Sequence, residues 1–294
     1  MSTRVSTSTR PDQITTTAPR RARRMRGLGP HIPLMLTVIV LLFPFYWTVV
    51  MATNASADFY AATPKLVPGP HLLDNIRMVF SSINFFGSMT NTLIVATSVT
   101  VLVLFFDSLA AFAFAKFTFP GSRVLFAILL LTFTLPAQLS TVSQFVLMIN
   151  LGLVGTLQAL IIPAAANAFG IFWMRQYISG AVPDELLDAG TIDGCGFFRQ
   201  YYYVVLPIIR PGLAFLGIFT FVGAWNDYGW PLIVLVNPDR VTLQVALAQL
   251  NLAHGTDYSV VMAGALLAII PLVLVFLVFA RQFVADAVKG AVRG

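Results

Sequence analysis

Two aspartates lie inside long apolar stretches of this sequence, at Asp107 and Asp227. A carboxylate at the centre of a membrane helix costs about 2.5–3.5 kcal/mol on insertion scales, so such groups usually face a bundle interior or a water-filled path. For Asp107 we expect an interior hydrogen bond. Gln138, Gln144 and Asn167 are further polar residues in apolar surroundings, and we expect them to form hydrogen bonds between helices.

Asp227 belongs to a run that combines aromatic rings with polar groups, Trp225-Asn226-Asp227-Tyr228. Aromatic faces beside hydrogen-bonding groups suit a sugar, because a sugar ring has apolar faces and hydroxyl edges. The run is therefore a candidate solute contact on a path through a membrane. The alternative is that it packs against a partner protein or lies near an outer gate.

The sequence contains no set of side chains with the spacing of a catalytic or metal site. His31, His71 and His254 lack metal-ligand spacing, and Cys195 is the only cysteine. A single cysteine excludes an intramolecular disulfide framework and a multi-cysteine metal site. Neither a Ser-His-Asp set, nor paired carboxylates, nor a G-x-x-x-x-G-K-[ST] run for ATP occurs. The sequence predicts no catalytic residue, no metal site and no cofactor of its own.

The amino-acid composition indicates the class of protein in which these residues lie. Of 294 residues, 57% are hydrophobic and only 10% are charged, and the mean hydropathy is +0.83. Soluble domains carry about 25% charged residues, so too little charge is present to cover a water-facing surface. The composition excludes an ordinary soluble enzyme, a disordered chain and a nucleic-acid-binding domain, and it indicates a polytopic membrane protein.

Six stretches reach the length of about 20 apolar residues that a membrane helix needs. They cover residues 32–53, 89–115, 124–149, 157–177, 212–236 and 260–283. Ala55-Ser56-Ala57 resembles a signal-peptide cleavage site, but the first stretch is longer than the core of a signal peptide. We therefore expect an uncleaved helix there. Several predicted spans contain prolines that would kink them, at Pro44, Pro136, Pro163, Pro231 and Pro271.

The basic residues predict the orientation. Residues 1–30 hold seven arginines and one acid, and they lack the apolar residues to fold. With this tail in the cytoplasm, fifteen of the eighteen Lys and Arg residues lie on the inner side, as the positive-inside rule requires. We expect both termini inside. The tail could also bind nucleic acid or anionic lipid.

The longest connection on the inner side covers residues 175–211, and a loop of this length usually has a role. Pro183 fits the first position of a short helix, and Gly194 fits a left-handed stop at its end. A second helical run follows, carrying Phe197, Phe198, Tyr201, Tyr202 and Tyr203. Such a hairpin could dock on a partner protein or lie as an amphipathic element on the lipid surface.

This loop resembles the E-A-A-x-x-D-G-A loop, followed by L-P, of permease subunits in binding-protein-dependent ABC importers. Here the sequence reads D-A-G-x-x-D-G-C, and the residues that correspond are Asp188, Ala189, Gly190, Asp193, Gly194, Cys195, Leu206 and Pro207. Asp188 replaces Glu, while Gly190 and Cys195 each replace Ala. These departures are mild and keep the acidic charge.

Further segments resemble the carbohydrate branch of this family, similar to the smaller permease of maltose-type importers. They include Asn91-Thr92-Leu93-Ile94, Phe119-Pro120-Gly121, Leu151-Gly152-Leu153, Phe169-Gly170-Ile171-Phe172 and the run at 225–228 followed by Trp230-Pro231-Leu232. The resemblance covers roughly residues 86–283. It implies an all-α integral membrane protein with six transmembrane helices, the type I ABC importer permease fold, in a bacterial cytoplasmic membrane.

The resemblance also implies partners and a division into segments. The loop would be a coupling helix in a groove of a cytoplasmic ATPase, which would bind ATP and Mg²⁺. A second permease, two ATPase subunits, an extracytoplasmic solute-binding protein and membrane lipid would be the partners, with no nucleic acid. The segments would be a disordered tail 1–30, a first helix 31–53, an outer loop 54–85, a permease core 86–283 and a cytoplasmic end 284–294.

Three alternatives stay open from the residues. The same architecture could import glycerol phosphate or a polyol instead of a sugar or oligosaccharide. An integral membrane enzyme or scaffold would need a polar catalytic cluster, which is not visible. A secondary transporter would usually show more spans and inverted repeats.

Overall fold

The computed structural model describes residues 31–59, 63, 65–253 and 257–291, and this part of the chain is helical without any strand. The predicted tail 1–30, His254 and residues 292–294 lie outside the described residues. The helices are α1 (His31–Thr53), α2 (Leu72–Ser82), α3 (Phe85–Lys116), α4 (Ser122–Thr134), α5 (Thr141–Asn150), α6 (Gln158–Ile161), α7 (Ala168–Ala181), α8 (Asp184–Ile192), α9 (Phe197–Gln200), α10 (Leu206–Ile208), α11 (Arg210–Asn226), α12 (Gly229–Val234), α13 (Leu243–Ala253) and α14 (Tyr258–Ala291). A π-helical turn covers Tyr201–Val205.

Helix α3 is the element around which the functional regions are arranged, and it packs against α7 and α11. Its buried residues include a stripe with a spacing of four, formed by Val95, Val99, Val103, Asp107 and Ala111. Residues four apart are neighbours on a helix surface, so these side chains share one face. Asp107 is the carboxylate in a stripe that is otherwise apolar, and its position is set by the helix that carries it.

The N-terminal end of α3 is joined to the segment before and within α13 by two hydrogen bonds. The Asn91 amide donates to the carbonyl of Val241 at 3.1 Å, and the backbone N–H of Leu243 donates to the Thr92 hydroxyl at 2.8 Å. Thr92 and Leu243 are both buried. These bonds satisfy backbone groups that would otherwise be unpaired in an apolar core.

The segment that follows α1 is held by two buried amides. Asn54 donates to the carbonyls of Val50 and Val67, each at 2.9 Å. Asn75 on α2 donates to the carbonyls of Ala52 at 2.9 Å and of Asn54 at 3.1 Å. The end of α1, the following segment and α2 therefore form one hydrogen-bonded unit.

Three of the predicted spans are not single helices. The predicted span 124–149 is divided at Pro136 into α4 and α5, and the helices on either side of the break are bent by 94°. The predicted span 157–177 contains the short α6, an irregular stretch around Pro163, and then α7. Proline removes a backbone donor and obstructs the preceding turn, so a helix can end at these places, although α1 and α14 continue through Pro44 and Pro271.

The predicted fifth span, 212–236, is also interrupted. Helix α11 begins two residues before it, at Arg210, and ends at Asn226, and α12 begins at Gly229. Asp227 and Tyr228 lie between the two helices, outside regular structure. Irregular backbone at membrane depth is tolerated where it is buried in protein or borders a water-filled cavity. This break is therefore a candidate location for a solute site.

Within the described residues, three helices are long and apolar enough to cross a membrane, namely α1, α3 and part of α14. Two bent pairs, α4 with α5 and residues 197–208 with α11, would raise the number to five. The chain is thus a multi-pass membrane protein. The count of six spans stays a prediction.

Candidate functional site

The connection is shorter than the predicted 175–211 loop, because α7 continues to Ala181 and α11 begins at Arg210. Helix α8 forms the first half of what lies between them. It begins at Asp184, with Asp184 and Glu185 in its first turn, where carboxylates interact favourably with the helix dipole. The prediction for Pro183 was wrong by one residue: Pro183 precedes the helix, with an extended ψ of 143°. An extended proline just before α8 still fixes where the chain turns into the helix.

The end of α8 has the hydrogen bonds of a Schellman motif. The N–H of Cys195 donates to the carbonyl of Gly190 at 2.8 Å, and the N–H of Gly194 donates to that of Thr191 at 3.0 Å. Gly194 has a φ of +75°, the left-handed conformation that the sequence predicts for it. Glycine adopts this conformation without the steric penalty of a Cβ atom, so the turn depends on Gly194.

The second half of the loop closes onto α8. Gln200 is buried, and its amide donates to the Leu187 carbonyl at 3.1 Å and to the Thr191 hydroxyl at 2.8 Å. The π-helical turn and α10, which contains Leu206 and Pro207, follow. The chain then bends by 82° into α11. The loop is therefore a folded hairpin with its own polar core.

Three kinds of contact fix this hairpin to α3. The Lys116 ammonium donates to the Val182 carbonyl at 2.6 Å and to Asp184 at 2.5 Å. The ring of Phe197 stacks on Phe112, with centroids 5.0 Å apart. Deeper in the bundle, the hydroxyl groups of Tyr201 and Ser108 are hydrogen-bonded at 2.7 Å. An ion pair, an aromatic stack and a buried hydrogen bond thus join the loop to one helix.

The residues that match the family motif divide between the two sides of the hairpin. Asp188, Ala189, Asp193 and Gly194 are exposed, Gly190 is buried and Cys195 is partly buried. Beside the exposed residues lie large apolar side chains that the motif does not include, with exposed fractions of 86% for Ile192, 70% for Phe198 and 44% for Leu186. The hairpin presents an acidic and apolar face, a composition typical of a surface that another protein covers.

The four residues of the 225–228 run do not share one surface. Trp225 is fully buried and stacks on Phe221 at 5.8 Å. Asn226 is exposed and donates to the Val222 carbonyl at 2.9 Å, and Tyr228 is also exposed. Asp227 borders two neighbouring cavities, and Asn226 borders a separate, apolar pocket. The structure therefore separates a core tryptophan from a cavity-lining carboxylate.

Two cavities meet at Asp227. One has a volume of about 350 Å³ and includes Asn167, Thr220 and Thr242 in its lining. The other, of about 540 Å³, is bordered by Gln138, Ser140, Thr141, Gln144, Gly229, Trp230 and Ile233. Leu160, Pro163 and Ala164 line both. Backbone breaks and short polar side chains therefore surround a shared space large enough for a small polar solute.

Sequence reasoning named some of these lining residues and missed others. Gln138 and Gln144 border the larger of these two cavities and Asn167 the smaller; that the glutamines also join helices stays a prediction. Trp230 was not singled out as a site residue. Its indole N–H donates to the Ala159 carbonyl at 3.0 Å. The available sequence signal was Pro231 directly after Trp230. The break at Asp227, which brings Trp230 beside the carboxylate, is visible only in the structure.

Asp107 makes the interior hydrogen bond that the sequence predicts. Its Oδ1 atom accepts from the backbone N–H of Asn167 at 3.1 Å, and the Asn167 side chain accepts from the N–H of Gly170 at 2.8 Å. The Oδ2 atom is buried without a hydrogen-bond partner in the described structure. Asp107 and Asn167 thus hold the start of α7 on α3. In the same described part, no group of His, Cys, Asp and Glu could hold a metal ion.

Comparison with known proteins agrees with this architecture. Residues 76–288 match the family described as binding-protein-dependent transport system inner membrane component. A structure of a bacterial ABC transporter involved in the import of the acidic polysaccharide alginate has a chain with a TM-score of 0.74 and 24% identity, covering 90% of this chain and 98% of that one. That likeness shows the fold.

Curated relatives match over nearly their whole length. The arabinooligosaccharides transport system permease protein AraQ of Halalkalibacterium halodurans is 31% identical, over 92% of this chain and 99% of the relative. The lactose transport system permease protein LacG of Rhizobium radiobacter is 34% identical over 89% and 95%. The sn-glycerol-3-phosphate transport system permease protein UgpE of Escherichia coli is 34% identical over 86% and 93%.

These matches bear out the resemblance drawn from the loop and agree with the all-helical, multi-pass structure. ATP hydrolysis in such systems belongs to separate subunits. The chain belongs to the family of binding-protein-dependent transport system inner membrane components, and it is a permease subunit of an ABC importer, not an enzyme.

Proposed function

We propose that this chain forms half of a translocation path for a neutral sugar or oligosaccharide and couples to a cytoplasmic ATPase through the 175–211 loop, with its contact region at 183–207. The other half of the path is a second, different permease. Two ATPase subunits bind ATP and Mg²⁺, and an extracytoplasmic solute-binding protein delivers the solute. The observation that carries the proposal is the hairpin itself, which is fixed to α3 and leaves an acidic and apolar face exposed.

The proposed topology has six spans with both termini and the loop in the cytoplasm. The broken segments 124–149, 157–177 and 212–236 each count as one crossing. The excess of Lys and Arg on one side supports this orientation. In it, the outer segments 54–85 and 237–258 face the solute-binding protein.

The anchoring of the hairpin suits it to transmit a movement. To shift a two-state equilibrium from 1:99 to 99:1 requires about 5.5 kcal/mol of differential binding. A contact can deliver this free energy only if the element that moves is rigid. Gln200 holds the two halves of the hairpin together, and Lys116 holds the hairpin on α3, so closure of the ATPases would move α3 with the loop.

The cavity lining favours a neutral solute over a phosphorylated one. The residues that border the two cavities include no Lys or Arg, and the charged group among them is the Asp227 carboxylate. A phosphate is normally bound by Arg, Lys or backbone N–H groups at a helix N-terminus, and a carboxylate would repel it. Sugar hydroxyls can instead donate to Asp227 and to the amide oxygens of Gln138 and Gln144. The relatives named for arabinooligosaccharides and lactose agree with this assignment, whereas the relative named for sn-glycerol-3-phosphate corresponds to the alternative solute.

The proposal is tested by identifying what co-purifies with the tagged chain from its native membranes in mild detergent, comparing Gly194→Val with Gly196→Val. Valine at 194 would have to adopt the φ of +75°, which strains the turn. Gly196 has a φ of −74° and open space where a Cβ atom would lie. We expect mass spectrometry to find an ABC ATPase and a second permease with the wild type and Gly196→Val, and the ATPase to be lost with Gly194→Val. A chain that purifies alone, or equal ATPase recovery from both variants, would contradict the proposal.

A further inference from the structure

Two adjacent residues of α3 face two different functional regions. Asp107 and Ser108 are both fully buried. Asp107 is bonded to the stretch that precedes α7, and Ser108 is bonded to the π-helical turn of the loop. Because they are consecutive on a helix, their backbone atoms move together.

Asp107 contacts the residue at which the cavity wall meets the start of α7. Its carboxylate accepts from the N–H of Asn167, and Asn167 borders the cavity of about 350 Å³. The same carboxylate lies against Gly170 so closely that a Cβ atom on Gly170 would overlap Oδ2. The first turn of α7 thus packs against Asp107. The cavity wall at Asn167 is hydrogen-bonded to the turn of α3 that carries Asp107.

Ser108 receives a hydrogen bond from the loop. Its hydroxyl also lies against the Leu104 carbonyl, which can only accept. The Ser108 proton is therefore directed to Leu104, and the Tyr201 O–H donates to the Ser108 oxygen at 2.7 Å. The Tyr201 ring lies 6.0 Å from that of Phe112 between centroids. The Tyr201 ring would keep its packing without the hydroxyl, and Ser108 would keep its own acceptor.

We propose that Asp107 and Ser108 form a positioning pair that makes the cavity wall at Asn167 follow the 175–211 loop. The inference rests on the proposed function, since it requires that the loop be moved by an ATPase. When the loop moves, Tyr201 carries the Ser108 turn of α3, and Asp107 on the same turn carries the start of α7. Neither residue needs to touch the solute.

The test measures solute transported per ATP hydrolysed by the purified complex in proteoliposomes, with the solute-binding protein present. The probes are radiolabelled lactose and arabinooligosaccharides, the solutes for which two relatives are named. The variants are Tyr201→Phe and, at the other end, Asp107→Ala. Tyr203→Phe is the matched control, because Tyr203 is exposed and loses a hydroxyl of the same kind. We expect Tyr201→Phe to lower transport per ATP about fivefold, the effect of one neutral hydrogen bond, while ATP hydrolysis stays within about twofold. Tyr203→Phe should leave the ratio unchanged.

Asp107→Asn distinguishes positioning from a role for the charge. The amide oxygen of asparagine can still accept from Asn167, so this variant should keep most of the wild-type ratio, whereas Asp107→Ala should lower it at least as much as Tyr201→Phe. An unchanged ratio in Tyr201→Phe would overturn the inference even if Asp107→Ala failed to assemble. An absence of ATP-dependent uptake by the wild-type complex would contradict the proposed function. Wild-type uptake together with an unchanged ratio in the variants would contradict the positioning pair and leave the proposed function standing.

Discussion

The 175–211 loop and the cavities around Asp227 are built in opposite ways on the same central helix. In the loop, buried polar groups such as Gln200 and Tyr201 have partners at 2.7–3.1 Å, and charged Lys116 is enclosed. Around Asp227, helices end early and polar side chains face open space. Under the proposed function, the loop transmits movement and must be closely packed, whereas the cavities admit a solute. The broken helices there leave backbone and side-chain groups that can meet water or solute.

The largest expected effect is at the junction of the two regions, in Gly170→Ala. The added methyl group would overlap the Asp107 carboxylate, and forcing extra volume into a packed interior costs about 3 kcal/mol. We expect a large fall in the thermal stability of the detergent-solubilised complex. Gly180→Ala in the same helix is the control, because its Cβ atom would meet open space. Combining Gly170→Ala with Asp107→Ala should recover part of the lost stability, and equal instability of the double variant would show that the overlap is not the cause.

The next effect concerns the closed packing of the loop, in Lys116→Met. The Lys116 side chain is only 7% exposed, and its loss leaves the Val182 carbonyl without this donor, at a cost of about 2 kcal/mol. We expect lower thermal stability and weaker retention of the ATPase during purification. Arg77→Met is the matched control, because Arg77 pairs with Asp74 on the surface at 3.3 Å, and exposed pairs contribute little. Similar losses in both variants would mean that the Lys116 anchor is an ordinary surface contact.

The open region is tested by Asp227→Asn. If Asp227 accepts hydrogen bonds from sugar hydroxyls, removal of its charge should lower uptake about tenfold, in line with the value of a charged hydrogen bond, without loss of the ATPase from the complex. Uptake of radiolabelled sugar into proteoliposomes measures this. Asp74→Asn serves as the control, since Asp74 is an exposed carboxylate outside the cavities. Uptake by Asp227→Asn equal to that of the control would remove Asp227 from the path.

The smallest effect compares two glycines of the same hairpin. Gly190 is in the interior of α8, and a Cβ atom there would be in ordinary contact with Gln200 at 3.6 Å. Gly190→Ala should stabilise the loop by up to about 1 kcal/mol through helix propensity. Gly194→Ala should destabilise it by about 1 kcal/mol because of its left-handed φ. Opposite shifts in the melting temperature would confirm this assignment, and shifts of the same sign would contradict it.

Much of the loop could be predicted from the sequence because its determinants are local. The order of Pro183, the acidic turn, Gly194 and the aromatic run defines a helix, a stop and a second helix without knowledge of the fold. The anchors could not be predicted in the same way. Nothing in the sequence shows that Lys116 reaches the Val182 carbonyl or that Tyr201 reaches Ser108, since these pairs are 66 and 93 residues apart.

The cavities were harder to predict because proline alone does not determine a break. Pro44 and Pro271 lie inside the continuous helices α1 and α14, whereas the chain is irregular at Pro136 and Pro163. What differs is whether neighbouring groups or a cavity can accommodate the freed backbone, which is a tertiary property. For the same reason, Trp225 was grouped with Asp227 although one residue is in the core and the other borders the open space.

The central claim, that an ATPase covers the exposed face of the hairpin, is tested most directly by cross-linking at Ile192. The single native cysteine allows a clean background, Cys195→Ala, into which Ile192→Cys is introduced because Ile192 is 86% exposed. Leu66→Cys, on the opposite side in the proposed topology, is the control. A thiol cross-linker applied to the isolated complex should join the Ile192→Cys chain to the ATPase and leave the Leu66→Cys chain unlinked. An Ile192→Cys chain that is recovered without a link to the ATPase would contradict the claim. So would a thiol at this position that lipid alone protects from thiol reagents, and this result would favour a hairpin that lies on the membrane surface.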